Sequence, residues 1–186
     1  MALVAALLAL GILAAARRWP HAAGIAAPAA LLLCAVAGLT LPDLDQPLPL
    51  DHRSMVTHSA LPALVALVRR WARPAAAGLA LGIGLHLAAD VFPNAMIGFA
   101  TVKLPFAGSI GRELSYLWLA ANAVACSLLG GVLLARDLPR RAQTGVLAGI
   151  TLLGLWYLLR VDGGWPALAV YVAAGWLALR RRPSSL

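Results

Sequence analysis

The chain has 186 residues, of which 62% are hydrophobic and 12% charged, with a formal net charge of +8. Its mean hydropathy of +0.85 excludes an ordinary soluble globular domain. The excess of positive charge does not mark a nucleic-acid binder, because the basic residues stand in small groups between apolar runs, the pattern of membrane topology.

Seven apolar segments are predicted in chain order, over 2–16, 22–41, 57–68, 75–92, 114–135, 142–159 and 166–179. The longer ones approach or reach the ~20 residues that cross a bilayer. The expected fold class is therefore all-α, a polytopic helical membrane protein of six to seven spans. The third and last segments are short and read as tilted, half-inserted or packed against neighbours. A single integral membrane domain is expected over 1–182, with a frayed tail over 183–186. The first segment has the length of a signal-peptide core. It has no basic stretch before it and carries Arg17 and Arg18 after it, so it reads as a retained signal anchor. Pro28 is expected to kink the second segment and Pro42 to end it. Gly78 with Gly82, and Gly145 with Gly149, have the GxxxG spacing that lets helices approach closely, although Ala/Gly-rich chains produce it by chance. Cys34 and Cys126 lie in apolar runs and read as small hydrophobes.

Charge alternates along these segments. Arg17 and Arg18 follow the first, Arg69, Arg70 and Arg73 the third, Arg136, Arg140 and Arg141 the fifth, and Arg180, Arg181 and Arg182 the seventh. If every segment spans, eleven of the fifteen basic residues fall on one face, with Asp137 as its one acid. The opposite face holds Arg53, Lys103, Arg112 and Arg160 with the other six acids. The positive-inside rule makes the basic face cytoplasmic, with the N-terminus out and the C-terminus in. Fourteen of the fifteen basic residues are Arg, which points to a GC-rich bacterial genome. The expected location is the bacterial inner (plasma) membrane.

Three of the four histidines and four of the seven acids fall between residues 43 and 90. Asp43 and Asp45 stand in PDLD; Asp51, His52, Arg53 and His58 in DHRSMVTHS; His86 and Asp90 in HLAAD. Ionisable groups at or inside an apolar layer are costly, so such a cluster points to function. The predicted segments bring all three motifs to one depth at the outer face. PDLD lies just past the second segment, His58 in the first turn of the third, and Asp90 at the end of the fourth, with His86 one turn deeper by ~6 Å on the same face. His and Asp together bind divalent metal and activate water. Asp43, Asp45, His52, His58, His86 and Asp90 are the candidate metal ligands. Asp45, His52 and Arg53 are the candidate catalytic residues, with the planar Arg53 fork suited to an anionic substrate oxygen. Mixed His/Asp ligands favour zinc, with manganese, iron or magnesium as alternatives. Thr57 and Ser59 suit helix caps. His21 reads as an interfacial residue.

Pro42-Asp43-Leu44-Asp45, then His52-Arg53 with Thr57-His58-Ser59, then Gly82 through His86 to Asp90 resemble the membrane-bound metal-dependent hydrolase family of the YdjM type. The resemblance covers about residues 38–105, including Gly98 and Pro105, and implies a membrane hydrolase using a divalent metal. Many members carry Thr-His near the start of the first helix. This chain has none there, and His21 falls at the wrong end of its helix. The expected partners are the bilayer and a lipid or lipid-linked ester or phosphoester, with no nucleic acid. H-x3-D also resembles the last motif of PAP2-type lipid phosphatases. That motif needs Arg six residues before the His, where Ala80 stands, and no PSGH occurs. Two other readings are a non-enzymatic divalent-metal binder or transporter, which requires a polar path to the cytoplasm, and a structural membrane protein.

Overall fold

The computed structural model describes residues 2–47 and 50–180. In chain order its elements are α1 (Ala2–Ala16), α2 (Ala23–Thr40), α3 (Leu61–Leu67), α4 (Arg73–Asp90), β1 (Lys103–Leu104), β2 (Gly108–Ser109), α5 (Arg112–Asp137), α6 (Arg140–Leu158) and α7 (Gly164–Arg180). The architecture is all-α, as expected, with one small antiparallel hairpin that pairs Lys103 with Ser109 and Leu104 with Gly108. Two helical stretches, Arg70–Asp90 and Arg112–Asp137, are by themselves long and apolar enough to cross a membrane. Arg181, Arg182 and the expected tail over 183–186 lie outside the described residues.

The third predicted segment is corrected. Helix was expected from about Thr57, but α3 begins at Leu61 and lasts seven residues. Pro62 occupies its first turn, a favourable place for proline. Arg69 adopts an extended conformation and ends the run before a 3₁₀ turn over Arg70–Ala72 leads into α4. Thr57 does not cap a helix, since its hydroxyl donates to Asp45. α2 continues through Pro28 and ends at Thr40, where Pro42 opens a 3₁₀ turn over Pro42–Asp45.

α4 is the central helix, and nearly every residue from Ala75 to Ala89 is buried. Its small side chains permit that. A Cβ at Gly78 would meet the Leu31 carbonyl oxygen, and one at Gly82 the Ala35 carbonyl oxygen. A Cβ at Gly38, on α2, would lie 2.6 Å from the Leu79 carbonyl oxygen. The two backbones therefore touch directly, and the rising register (31 with 78, 35 with 82) makes α2 and α4 parallel. Gly145 meets nothing, so the second GxxxG does not form a comparable crossing. α5 runs antiparallel to α4. Gly84 faces Ser127, Gly130 faces Leu81, and Arg73 pairs with Asp137 at 3.0 Å.

This register sorts the ends of the bundle. Asp43, His86 and Asp90 lie at one end. Arg17 stacks on Trp71 and Arg73 binds Asp137 at the other. Residues 50–72 lead the chain back towards the start of α4, and only part of that stretch is helical. Large apolar side chains of the outer helices, including Leu7, Leu117, Leu128, Leu152 and Trp176, face outward and are more than half exposed.

The contact between α2 and α4 makes a prediction. Gly82→Ala places a methyl group against a backbone oxygen and should destabilise the fold by about 1–3 kcal/mol, the usual range for overpacking. Gly145→Ala should leave the thermal midpoint of the purified protein unchanged. Equal midpoints for the two variants would contradict the close approach.

Candidate metal centre

Two histidines stand at the centre of the site. His86 projects from the last full turn of α4 and is buried. Its Nδ1 lies 2.9 Å from the Leu39 carbonyl oxygen and 2.9 Å from the Tyr157 hydroxyl. A carbonyl only accepts, so Nδ1 carries the hydrogen and Nε2 presents its lone pair. His58 is fully buried in the turn ahead of α3. Its Nδ1 lies 3.2 Å from Asp45 Oδ2, which leaves Nε2 as the free nitrogen here too.

Both Nε2 atoms face Asp90. Asp90 Oδ2 lies 3.3 Å from His58 Nε2 and 3.4 Å from His86 Nε2. Asp43 Oδ1 lies 3.9 Å from His86 Nε2. The ligand atoms of Asp43, His58 and His86 all fall within 4.8 Å of one another. His58 Nε2, His86 Nε2 and Asp90 Oδ2 are buried and have no hydrogen-bond partner. Donor atoms bound to a tetrahedral zinc at ~2.0–2.1 Å lie ~3.3–3.4 Å apart, so the spacing and the donor chemistry fit a divalent metal. Asp43, His58, His86 and Asp90 are the residues that would hold it.

Each buried ligand is fixed through its other polar atom. Asp90 Oδ1 accepts from Arg53 Nη2 at 2.8 Å, leaving Oδ2 for the centre. Arg53 Nη1 donates to the Ala100 carbonyl at 2.6 Å. Asp45 Oδ2 accepts from the Ser54 N–H at 2.9 Å and the Thr57 hydroxyl at 3.1 Å. Burial works against the ionised Asp45, but the His58 imidazole and these donors hold its carboxyl below the usual range.

The 51–60 loop delivers these groups at a cost in backbone strain. Asp51 and Arg53 take positive φ angles of 62° and 58°, uncommon for residues with side chains. The distant β1 holds the loop in place. The Lys103 N–H donates to the Arg53 carbonyl at 3.0 Å, and the Met55 N–H donates to the Lys103 carbonyl at 2.9 Å. Lys103 Nζ donates to the carbonyls of His52, Phe99 and Thr101. α5 supplies two more ties. Trp118 Nε1 donates to the His58 carbonyl at 2.8 Å, and Asn122 Oδ1 accepts from the Ala60 N–H at 3.0 Å.

The fold thus brings Asp43, Asp45, His58, His86 and Asp90 to one place. His52 stands at its edge. Its Nδ1 is 3.9 Å from Asp45 Oδ1, and its ring stacks on Phe99 at 4.0 Å. Burial, with Arg53 adding to it, lowers the His52 pKa against the pull of Asp45. Arg53 is engaged by Asp90 and Ala100. Asp51 makes no side-chain hydrogen bond among the described residues. Sequence reasoning missed Trp118, Asn122, Lys103 and Tyr157. Asn122, with Trp118 four residues before it, was a usable signal, because a polar amide inside an apolar helix needs a partner. Tyr157 near a helix end looked the same as an interfacial aromatic residue.

No family model, no curated protein and no solved structure matches this chain.

The geometry separates ligands from supports. Ala at His58, His86 or Asp90 should reduce bound divalent metal in purified protein, read by elemental analysis. Asp45→Asn should preserve the ligand set and weaken metal affinity about 10–100-fold, the usual effect of losing a carboxylate that orients a ligating histidine. Tyr157→Phe should weaken it less, because Leu39 still holds His86. Wild-type affinity in Asp45→Asn, measured by chelator competition, would remove its orienting role.

Proposed function

We propose that this protein is a membrane-embedded, metal-dependent hydrolase acting on a lipid or lipid-linked ester or phosphoester at the outer membrane interface. The observation that carries the reading is the set of buried, unpartnered metal-ligating atoms of His58, His86 and Asp90 converging at the end of an apolar bundle opposite its arginine cluster.

Membrane insertion is supported by the outward-facing Leu and Trp side chains on α1, α5, α6 and α7, since a bundle that is apolar outside as well as inside suits lipid. The gathering of Arg17, Arg70 and Arg73 at the end opposite the site supports a cytoplasmic basic end and an external site. In this reading all seven segments traverse, the third as loop, short helix and 3₁₀ turn. The inner membrane of a bacterium is the proposed location. The ordered motifs PDLD, HR…THS and H-x3-D support membership of the YdjM-type family.

A divalent ion at the centre, with zinc proposed first and manganese, iron or magnesium next, supplies Lewis acidity and an activated water. The chain's own residues do the rest. Asp43 forms the exposed side of the ligand set, with 44% of its side chain accessible. Asp45 orients His58. Arg53 positions Asp90, a role that engages the fork the sequence reading assigned to substrate. His52, at the edge and without a bonded partner at Nδ1, is placed to move a proton between the centre and solvent. A transporter reading is disfavoured because α4 below His86 is Ala, Gly and aliphatic residues down to Pro74, with no ionisable group.

Two experiments test this. Purified protein should hydrolyse an amphiphilic ester or phosphoester presented in micelles, lose that activity to a chelator and regain it with a divalent ion. Activity that survives removal of both His58 and His86 would refute the metal mechanism. Reporter fusions after Asp45 and Lys103 should read external and those after Arg73 and Arg141 cytoplasmic. A cytoplasmic reading at Asp45 would reverse the orientation.

A further inference from the structure

We propose that the basic end of the bundle binds an anionic phospholipid through its phosphate, in the crevice between α1, α2 and the start of α4. The proposal rests on the membrane half of the reading above and not on the hydrolytic half.

A cavity of about 550 Å³ opens there, lined by Leu13 of α1, Arg17 just past its end, Ala26 and Ala27 of α2, and Arg70 and Trp71 of the turn before α4. The charges around it do not balance. Asp137, the acid in its wall, lies 3.0 Å from Arg73 Nε. Arg17 and Arg70 have no ion-pair partner among the described residues. The Arg17 guanidinium instead lies over the Trp71 ring, 5.8 Å from its centroid. That contact uses the flat face of the group and leaves its N–H edge for an oxygen ligand.

Two cations from separate elements therefore stand over a wall of Leu and Ala. Such a site complements a ligand with a phosphate at one end and hydrocarbon at the other. A phospholipid of the adjacent leaflet meets both halves, with the phosphate at Arg17 and Arg70 and an acyl chain along Leu13, Ala26 and Ala27. Free phosphate would meet only the rim, and an acidic peptide would leave the apolar wall uncovered. The His/Asp centre lies at the opposite end, so this lipid is a bound ligand of the basic end and not the substrate.

Native mass spectrometry of the detergent-solubilised full chain tests the proposal with phosphatidylglycerol, phosphatidylcholine and inorganic phosphate as probes. Wild type should retain phosphatidylglycerol in preference to phosphatidylcholine, and millimolar phosphate should not displace it. Arg17→Gln and Arg70→Gln should each weaken retention about fivefold, and the pair together about thirtyfold, from the usual contribution of one arginine to anionic lipid binding. Arg160→Gln, at the other end, should have no effect. Equal retention of the two lipids by wild type would overturn the proposal without recourse to any variant. So would undiminished retention in a folded double variant, or displacement by phosphate, which would mark a simple anion site. Metal content of the same samples reports on the opposite end. Lipid selectivity without metal would uphold this proposal and remove the hydrolase, and metal without selectivity would do the reverse.

Discussion

The direct contact of the α2 and α4 backbones is the constraint on which the rest of the structure depends. Gly38, Gly78 and Gly82 leave no side chain between the two helices, so carbonyl oxygens of each lie against the other. Parallel helices so close share one register. The last turn of α2 therefore arrives level with the last turn of α4, and the Leu39 carbonyl meets His86 Nδ1 at 2.9 Å. Pro42 then turns the chain immediately, which puts Asp43 Oδ1 3.9 Å from His86 Nε2. A wider crossing would lose both relations. Helix packing here sets the positions of ligand atoms as well as stability.

The polar groups at the site follow one physical rule. A buried donor or acceptor left unpaired is costly, and a buried charge more so. Asp45, His58, His86 and Asp90 each meet that cost on one side through a protein partner: Ser54 and Thr57, Asp45, Leu39, and Arg53 in turn. The atoms left over on His58, His86 and Asp90 converge. Unpaired atoms scattered through an apolar bundle would read as defects of packing. Gathered together, with Asp90 Oδ2 3.3 Å and 3.4 Å from the two Nε2 atoms and with partners that fix tautomer and orientation, they could hold a cation. The left-handed Arg53 belongs to this scheme. Its strain is offset by the backbone bond its carbonyl accepts from Lys103 of β1 and by the ties its side chain makes to Asp90 and Ala100.

Much of this was legible in the sequence because it is local. The helical period puts His86 and Asp90 on one face, Pro42 stops α2, and apolar length gives the seven helices. Three things were not local. His58 sits in a non-helical turn because Trp118 and Asn122, about sixty residues away, bind the backbone around it. Arg53 read as a substrate clamp because nothing near it in sequence shows that Asp90 takes its guanidinium. The glycines of α4 read as compositional chance because only the partner helix reveals that a methyl group would collide with Leu31 and Ala35. In each case the residue type was informative, but the partner that decides its role comes from another element.

Exposure decides how a reactant could reach the centre. Asp45 and His58 are closed off, and His86 is nearly so, whereas Asp43 keeps 44% of its side chain accessible. His52 and Phe99 form a stacked rim on another side, and Phe99 is largely exposed. The open approach therefore passes Asp43. The cations nearest the centre are already taken, Arg53 by Asp90 and the Ala100 carbonyl, and Lys103 by three backbone carbonyls. An anionic group arriving there would find both of these side chains engaged. Its charge could be met by a cation held at the centre. Recognition would then fall to the apolar surroundings and the exposed aromatic rim, which suits a substrate held chiefly by its hydrocarbon part.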